Sequence, residues 1–434
     1  MSTKANAWMR RYGPVVLLVA FVAYVGMYLR WPSLATQVDL LVYRFGAQRV
    51  LAGADLYSIG LTGNPRTLLF DYTPFAALCA VPLTLMTTAT AQVVGLAGNV
   101  ALLVFVVQRS LRRLGVSTAA GLWGLGALLT GLVCWLDPVR LSLQLGQVNL
   151  LILAVVVADL LGPDTRRWAG VGVGIVAGIK LTPALFVVYL FLTGRRRAAV
   201  TATATFLATV VLGFLVLPRD STYFWLRGGF DDVARITSDP IANTSLKGLF
   251  IRLHVGGAPV VVAAVALAAV GLAVAVLAWR RGHAVLGVAV AGMTSAAVSP
   301  FSWSHHWVWL VPLVIHLVHR AYVACNRVLL VVAWLFCVVF AGWVTSAPGD
   351  TPETGLLSLR PGGRGDVVLP AAYLAVFVVV LVATAWWLRP WRGHETGTTT
   401  GAVLYPVTRT QSAGAEPAGS VARTSTVSPG NTVT

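Results

Sequence analysis

Charge is what this sequence has least of. Only 11% of its 434 residues are Asp, Glu, Lys or Arg and 57% are hydrophobic, whereas a soluble globular domain carries about 25% charged residues. Mean hydropathy is +0.79. Apolar runs recur along the chain, and roughly 20 such residues let a helix cross the hydrocarbon of a bilayer. Soluble classes are therefore excluded, and the expected fold class is an all-α polytopic membrane protein. Cysteine is also scarce. Cys79, Cys134, Cys325 and Cys337 lie in apolar segments with no CxxC spacing, so neither a disulfide framework nor a cysteine zinc site is supported. No Walker loop or glycine-rich nucleotide cradle occurs, which argues against soluble nucleotide chemistry. An internal repeat, common in secondary transporters, is missing as well.

The charge that is present has a pattern. A formal net charge of +17 could suggest a nucleic-acid partner, but the basic residues sit in short turns between apolar runs. These runs cover 14–29, 90–108, 118–136, 148–161, 198–217, 259–279, 284–298, 307–319, 328–343 and 367–388. On one side of them lie Arg109, Arg112 and Arg113, then Arg166 and Arg167, then Arg195, Arg196 and Arg197. Arg280 and Arg281, Arg320 and Arg327, and Arg389 and Arg392 follow on the same side. Nineteen Lys and Arg fall there against four acids, and twelve against eleven on the other side, which is the positive-inside pattern. The net charge is thus topology, and no nucleic-acid partner is expected. The reading is a multi-pass plasma-membrane protein with cytoplasmic N- and C-termini. Lys4, Arg10 and Arg11 precede a retained first helix, since no small-residue cleavage site follows it.

Residues 168–193 break the alternation, because basic clusters flank both ends. They are expected to enter and return as two half-helices meeting at Gly-Ile-Lys-Leu-Thr-Pro, 178–183, with Lys180 beyond the midplane. Ten full spans and this hairpin would form one catalytic domain, residues 1–392. The Thr-, Ser- and Gly-rich stretch 393–434 is expected to be a disordered cytoplasmic tail.

Chemistry-bearing side chains converge on the opposite, outer side. The first outer loop is long and holds two stretches suited to membrane-surface helices, 39–50 and 75–86. Asp39, Asp71, Gln147, Asn149, Asn243, Lys180, His305 and His306 all fall at this level, and carboxylate, amide, ammonium and imidazole groups around one cavity mouth read as a site. Asp39 could be a base or a helix cap. His305 and His306 could be catalytic or belong to an interfacial belt with Trp303 and Trp307. Adjacent histidines on a helix point about 100° apart, which disfavours zinc. A lone lysine in mid-segment favours an anionic partner for Lys180.

Six motifs in order carry a family resemblance. They are Val38-Asp39-Leu-Leu-Val-Tyr43-Arg44, Leu56-Tyr57, Asp71-Tyr72-Thr73-Pro74-Phe75, Gly146-Gln147-Val-Asn149-Leu, Ile179-Lys180-Leu-Thr182-Pro183 and Ser302-Trp303-Ser304-His305-His306-Trp307. Together they resemble the mycobacterial polyprenyl-phosphate-mannose-dependent α-(1→2)-mannosyltransferases of phosphatidylinositol mannoside and lipomannan synthesis. The resemblance implies a GT-C-type helix bundle with Asp39 as catalytic aspartate. Family members often carry Thr-Tyr-Pro-Pro where Asp71 to Pro74 stand, and an acidic residue where Ser304 stands. The expected donor is polyprenyl-phosphate-mannose, the acceptor a glycolipid among membrane lipids, and the active site faces outward. In this reading Asp39, His305 and His306 are catalytic, and Lys180 and Arg44 meet the donor phosphate. Tyr43, Asp71, Tyr72, Gln147, Asn149, Asn243 and Trp303 contact sugar or acceptor. No cofactor or metal is expected, with a divalent cation left open. A lipid-phosphate-dependent arabinofuranosyltransferase and, further off, a transporter are the alternatives.

Overall fold

The computed structural model describes residues 3–65, 67–163, 165–230, 242–341, 344–345, 353–354 and 365–389. The expected tail, 393–434, lies outside the described residues. The helices are α1 (Thr3–Arg30), α2 (Val38–Leu51), α3 (Pro74–Cys79), α4 (Thr88–Arg113), α5 (Ala119–Val133) and α6 (Asp137–Leu145). Next come α7 (Asn149–Leu160), α8 (Val171–Ile179), α9 (Leu185–Leu192), α10 (Arg196–Val216), α11 (Pro218–Ser221) and α12 (Leu246–Arg252). The last are α13 (Ala258–Arg280), α14 (Ala284–Val298), α15 (Leu310–Val323), α16 (Arg327–Val339) and α17 (Gly365–Trp387). A two-residue antiparallel pair joins Val344–Thr345 to Glu353–Thr354.

Small residues let the helices approach closely, as packing in lipid requires. A Cβ on Gly13 of α1 would lie 2.1 Å from the Gly124 carbonyl oxygen of α5. Gly170, Gly174 and Gly178 form a ridge against Ala198, Ala202 and Thr209 of α10 in matching order, so α8 and the start of α10 run in the same direction. Helix α9 leads straight back to the start of α10, which makes α8 and α9 an out-and-back pair with its break at Lys180. Every residue from Ala284 to Ala297 is buried, so α14 is the central helix. Leu18, Leu207, Val261, Leu330 and Val379 on the peripheral helices are exposed, the arrangement expected of a multi-pass membrane protein.

The span count differs from expectation. Among the described residues five helices have spanning length, within α1, α4, α10, α13 and α17, and the pair α6–α7 is bent by 119°. The other apolar runs give helices of 12 to 15 residues, such as α7, α14, α15 and α16. The reason lies at one end of the bundle. There α7, α14 and α15 give way to the Gly146–Val148 bend, the Ser299–Trp303 loop and a 3-10 turn, irregular backbone that is tolerated at depth where it lines a cavity.

Candidate active site

The first half of the site is built by α2 and the α6–α7 bend. Gln37, not Asp39, is the N-cap of α2, in the left-handed region at φ 46°; its amide donates to the Gln144 carbonyl at 2.9 Å and its side chain to the Gln92 carbonyl at 2.8 Å. Asp39 therefore sits in the first turn, where the helix dipole favours a carboxylate. Gly146 ends α6 at φ 67°, and a Cβ there would lie 2.7 Å from Leu40 Cβ, so glycine is required both by conformation and by contact. This approach brings Gln147 against Asp39, with Gln147 Nε2 donating to Asp39 Oδ2 at 2.5 Å. The Gln147 orientation is imposed from its other side. Its Oε1 accepts from Tyr43 Oη at 2.9 Å and Tyr72 Oη at 3.2 Å, which leaves only the amino group for Asp39. Burial pushes the Asp39 carboxyl up to about 7; Asp71 adds to the rise, while the Gln147 bond and Lys180 oppose it.

The second half is a short 3-10 turn, Ser304–Trp307, reached through a loop stapled by Asn243 and Thr244. Asn243 Oδ1 accepts from the Ser245 and Ser302 amides, both at 3.1 Å, and Nδ2 donates to the Pro300 carbonyl at 3.1 Å. The Thr244 hydroxyl donates to the Ser302 carbonyl at 2.7 Å and accepts from Trp307 Nε1 at 3.0 Å. On the turn, the Trp303 amide donates to His306 Nδ1 at 2.7 Å. Burial and the neighbouring Lys180 hold the His306 imidazole well below its ordinary value. A neutral imidazole whose Nδ1 accepts must carry its proton on Nε2. That Nε2 lies 2.6 Å from Lys180 Nζ, so two donors are crowded together, an arrangement that an anionic oxygen accepting from both on the cavity side would satisfy.

Asn149 orients both parts: Nδ2 donates to the His305 carbonyl at 3.0 Å, and Oδ1 accepts from Lys180 at 3.3 Å. The Lys180 ammonium also lies 5.3 Å from the Tyr72 ring centroid. Thr73 fixes the break beside it, donating its hydroxyl to the Gly178 carbonyl at 2.5 Å. His305 is fully buried, and neither ring nitrogen has a partner among the described residues. Its ring packs 4.6 Å from that of His306 and 5.4 Å from that of Trp303. A cavity of about 570 Å³ has a lining that includes Asp71, Tyr72, Gln147, Lys180, Trp303 and His306; Asp39 and Asn149 are not part of that lining and adjoin it through their hydrogen bonds to Gln147 and Lys180. A second, apolar cavity of about 280 Å³ shares Tyr72, Gln147 and Ile179 with it.

Glycosyltransferase family 87 matches residues 70–300, more than half of the chain. The chain belongs to glycosyltransferase family 87. It is similar to the polyprenol-phosphate-mannose-dependent alpha-(1-2)-phosphatidylinositol pentamannoside mannosyltransferase of Mycolicibacterium smegmatis, at 33% identity over 88% of this chain and 92% of the relative. The protein of the same description from Mycobacterium tuberculosis is 35% identical over 69% and 72% of the two chains. A polyprenol-phosphate-mannose-dependent alpha-(1-2)-phosphatidylinositol mannoside mannosyltransferase of Mycobacterium tuberculosis is 29% identical over 64% and 69%. No solved structure matches.

This family 87 glycosyltransferase has the all-α, GT-C-type membrane architecture that its motifs implied. The family match contains Asp71, Tyr72, Gln147, Asn149, Lys180 and Asn243, whereas Asp39, His305 and His306 flank it in sequence and join the same site in space. Two expected ligands are placed elsewhere. Arg44 donates to the Leu83 carbonyl at 3.1 Å and the Met86 carbonyl at 3.0 Å, so it ties α2 to the following turn instead of meeting the phosphate. Asn243 holds the histidine loop with all its polar atoms and is absent from the cavity lining. The two histidines sit on a 3-10 turn instead of the expected helix, with their ring centroids 4.6 Å apart. Thr73 and Thr244 are site-building residues that sequence reasoning missed; the hydroxyl beside each proline- or asparagine-containing motif was the available signal. Among the described residues no group of three or more His, Cys, Asp or Glu converges as a metal set would.

Proposed function

We propose that this glycosyltransferase moves mannose from polyprenyl-phosphate-mannose to a hydroxyl of a phosphatidylinositol mannoside or related lipoglycan. The new bond is α-(1→2), and it forms on the outer side of the plasma membrane. The observation that carries the reading is the pair of donors, Lys180 Nζ and His306 Nε2, 2.6 Å apart on the wall of the larger cavity. A leaving phosphate gains charge as the glycosidic bond breaks, and donors fixed beforehand in a water-poor site stabilise that charge. Asp39, with a carboxyl poised near neutrality, accepts the proton of the attacking hydroxyl. The acceptor oxygen bonds to the anomeric carbon, and polyprenyl phosphate departs with the electron pair. Trp303 offers its ring to the sugar, and the apolar cavity beside Leu40, Leu83 and Leu102 suits the start of the lipid chain.

The similarity to relatives described as polyprenol-phosphate-mannose-dependent supports the donor. Topology supports the side. Arg109, Arg195 and Arg280 gather at the end of the bundle opposite the cavity, and positive-inside orientation puts that end in the cytoplasm. The test incubates purified protein with polyprenyl-phosphate-mannose and a series of phosphatidylinositol mannosides. A product one hexose heavier with an α-(1→2) linkage is expected; transfer of arabinofuranose in preference to mannose, or of nothing, overturns the reading.

A further inference from the structure

A second groove lies next to the catalytic cavity and takes no part in the chemistry above. It encloses about 950 Å³, within the size of ordinary ligand sites, between the end of α2 and the junction of α10 with α11. Its lining includes Asp55, Tyr57, Arg219, Asp220, Tyr223 and Arg227. Two distant segments are pinned to form it, since Asp220 Oδ1 accepts from the buried Leu56 amide at 2.9 Å. The loop beyond α2 is ordered by Arg49, which donates to the Asp55 carbonyl at 2.7 Å and to Ser58 Oγ at 2.9 Å. Asp55 Oδ1 accepts from the Tyr57 amide at 2.9 Å.

The chemistry of the lining selects a ligand class. Charged groups of both signs make it a poor seat for a lipid chain, in contrast to the apolar cavity beside Leu83 and Leu102. Two carboxylates disfavour a free anion. Carboxylate acceptors, guanidinium donors and the Tyr223 ring, backed by the buried Tyr57 ring at 5.1 Å, fit a neutral polyol with apolar C–H faces, that is, a sugar. The groove is one side chain away from catalysis. Phe224 stacks on Tyr57 at 6.0 Å and lines the catalytic cavity, and Tyr57 Oη donates to the Tyr72 carbonyl at 2.8 Å. A cavity of about 570 Å³ must hold the donor sugar, its phosphate and the accepting sugar, so further sugars of an acceptor need another place.

We propose that this groove is a second carbohydrate subsite, which holds the non-reacting sugar residues of an oligosaccharide-bearing acceptor while its terminal hydroxyl enters the catalytic cavity. The proposal rests on the glycosyl-transfer reading for its acceptor, and its test separates the two. Tyr223→Ala removes one stacking face, and the double substitution Asp55→Asn with Asp220→Asn removes charge while keeping an oxygen for each backbone amide. With an acceptor bearing several mannoses, KM is expected to rise roughly five- to tenfold in Tyr223→Ala and to rise also in the double variant. With an acceptor bearing one mannose, KM and kcat should stay within about twofold. Equal changes for both acceptors, or none for either, overturn the subsite. Binding of soluble α-mannotriose to the purified protein, read by saturation-transfer NMR, decides independently of turnover. Binding kept in Lys180→Met and lost in Tyr223→Ala supports the groove even if no mannose is transferred by the wild type. No binding to the wild type, or binding that Tyr223→Ala leaves unchanged, overturns it.

Discussion

The two ends of the helix bundle use polar side chains in opposite ways. At the basic end, arginines close helices: Arg109 donates to the Leu161 carbonyl at 3.1 Å, Arg195 to the Leu160 carbonyl at 3.1 Å and Arg280 to the Leu192 carbonyl at 3.4 Å. Cations there meet the carbonyls left over at helix C-termini, where the dipole favours them. At the other end the helices stop early, and the polar groups are aimed at a cavity. Lys180 and His306 oppose donor to donor, and both His305 ring nitrogens lack partners among the described residues. The arginines of the basic end are spent on the protein's own carbonyls, while Lys180 and His306 at the other end line an open cavity.

The contrast predicts which substitutions matter. The largest effect is expected at Asp39. Asp39→Asn keeps the shape and the Gln147 contact but removes basicity, so kcat should fall by about 10²-fold or more with helix content unchanged by circular dichroism. A variant with over about a tenth of wild-type turnover would remove Asp39 from the role of base. Lys180→Met comes next, with donor KM raised and kcat lowered by roughly tenfold or more and acceptor KM unchanged; unaltered donor kinetics would make Lys180 a structural residue like those of the basic end. For the histidines, His306→Ala should reduce kcat more than about tenfold and His305→Ala distinctly less, since only His306 meets Lys180. Activity is expected to survive exhaustive chelation, and its loss to EDTA with recovery on adding a divalent cation would recast Asp39 and a histidine as ligands.

A smaller effect concerns pH. The Asp39 carboxyl is raised to about 7 chiefly by burial, so kcat/KM should climb as pH increases through about 7 and the carboxylate forms. The Gln147 hydrogen bond stabilises that carboxylate, and Gln147→Leu should therefore move the rising limb to higher pH; a limb that stays put would separate Gln147 from Asp39 ionisation. The smallest catalytic effect is expected at Arg44, whose two carbonyl contacts make it resemble the arginines of the basic end. Arg44→Met should lower stability by about 1–3 kcal/mol and leave donor KM within twofold, and a large rise in donor KM would return Arg44 to the phosphate.

Much of the site was legible along the chain. Asp39 in the first long loop, the break around Lys180 and the histidine pair all stand out because each is a polar interruption of apolar sequence, and such interruptions are costly in a membrane unless they serve a site. Arg44 and Asn243 stand out for the same reason yet are engaged by backbone groups. Residue type announces hydrogen-bonding capacity, and only the neighbours in space determine where it is used.

By itself, the sequence determined the solvent, the all-α class, the end of the bundle that carries basic charge and the hairpin that turns at Lys180. These follow from hydrophobic run length, charge position and the chain's own covalent order. Tertiary structure alone decided which helices end short of a full span, that Gln147 is held by two tyrosines and so must donate to Asp39, and that Lys180 and His306 converge from residues 126 positions apart. The physical reason is that a hydrogen bond depends on distance and direction to within a few tenths of an ångström, and those are set by packing between segments remote in sequence.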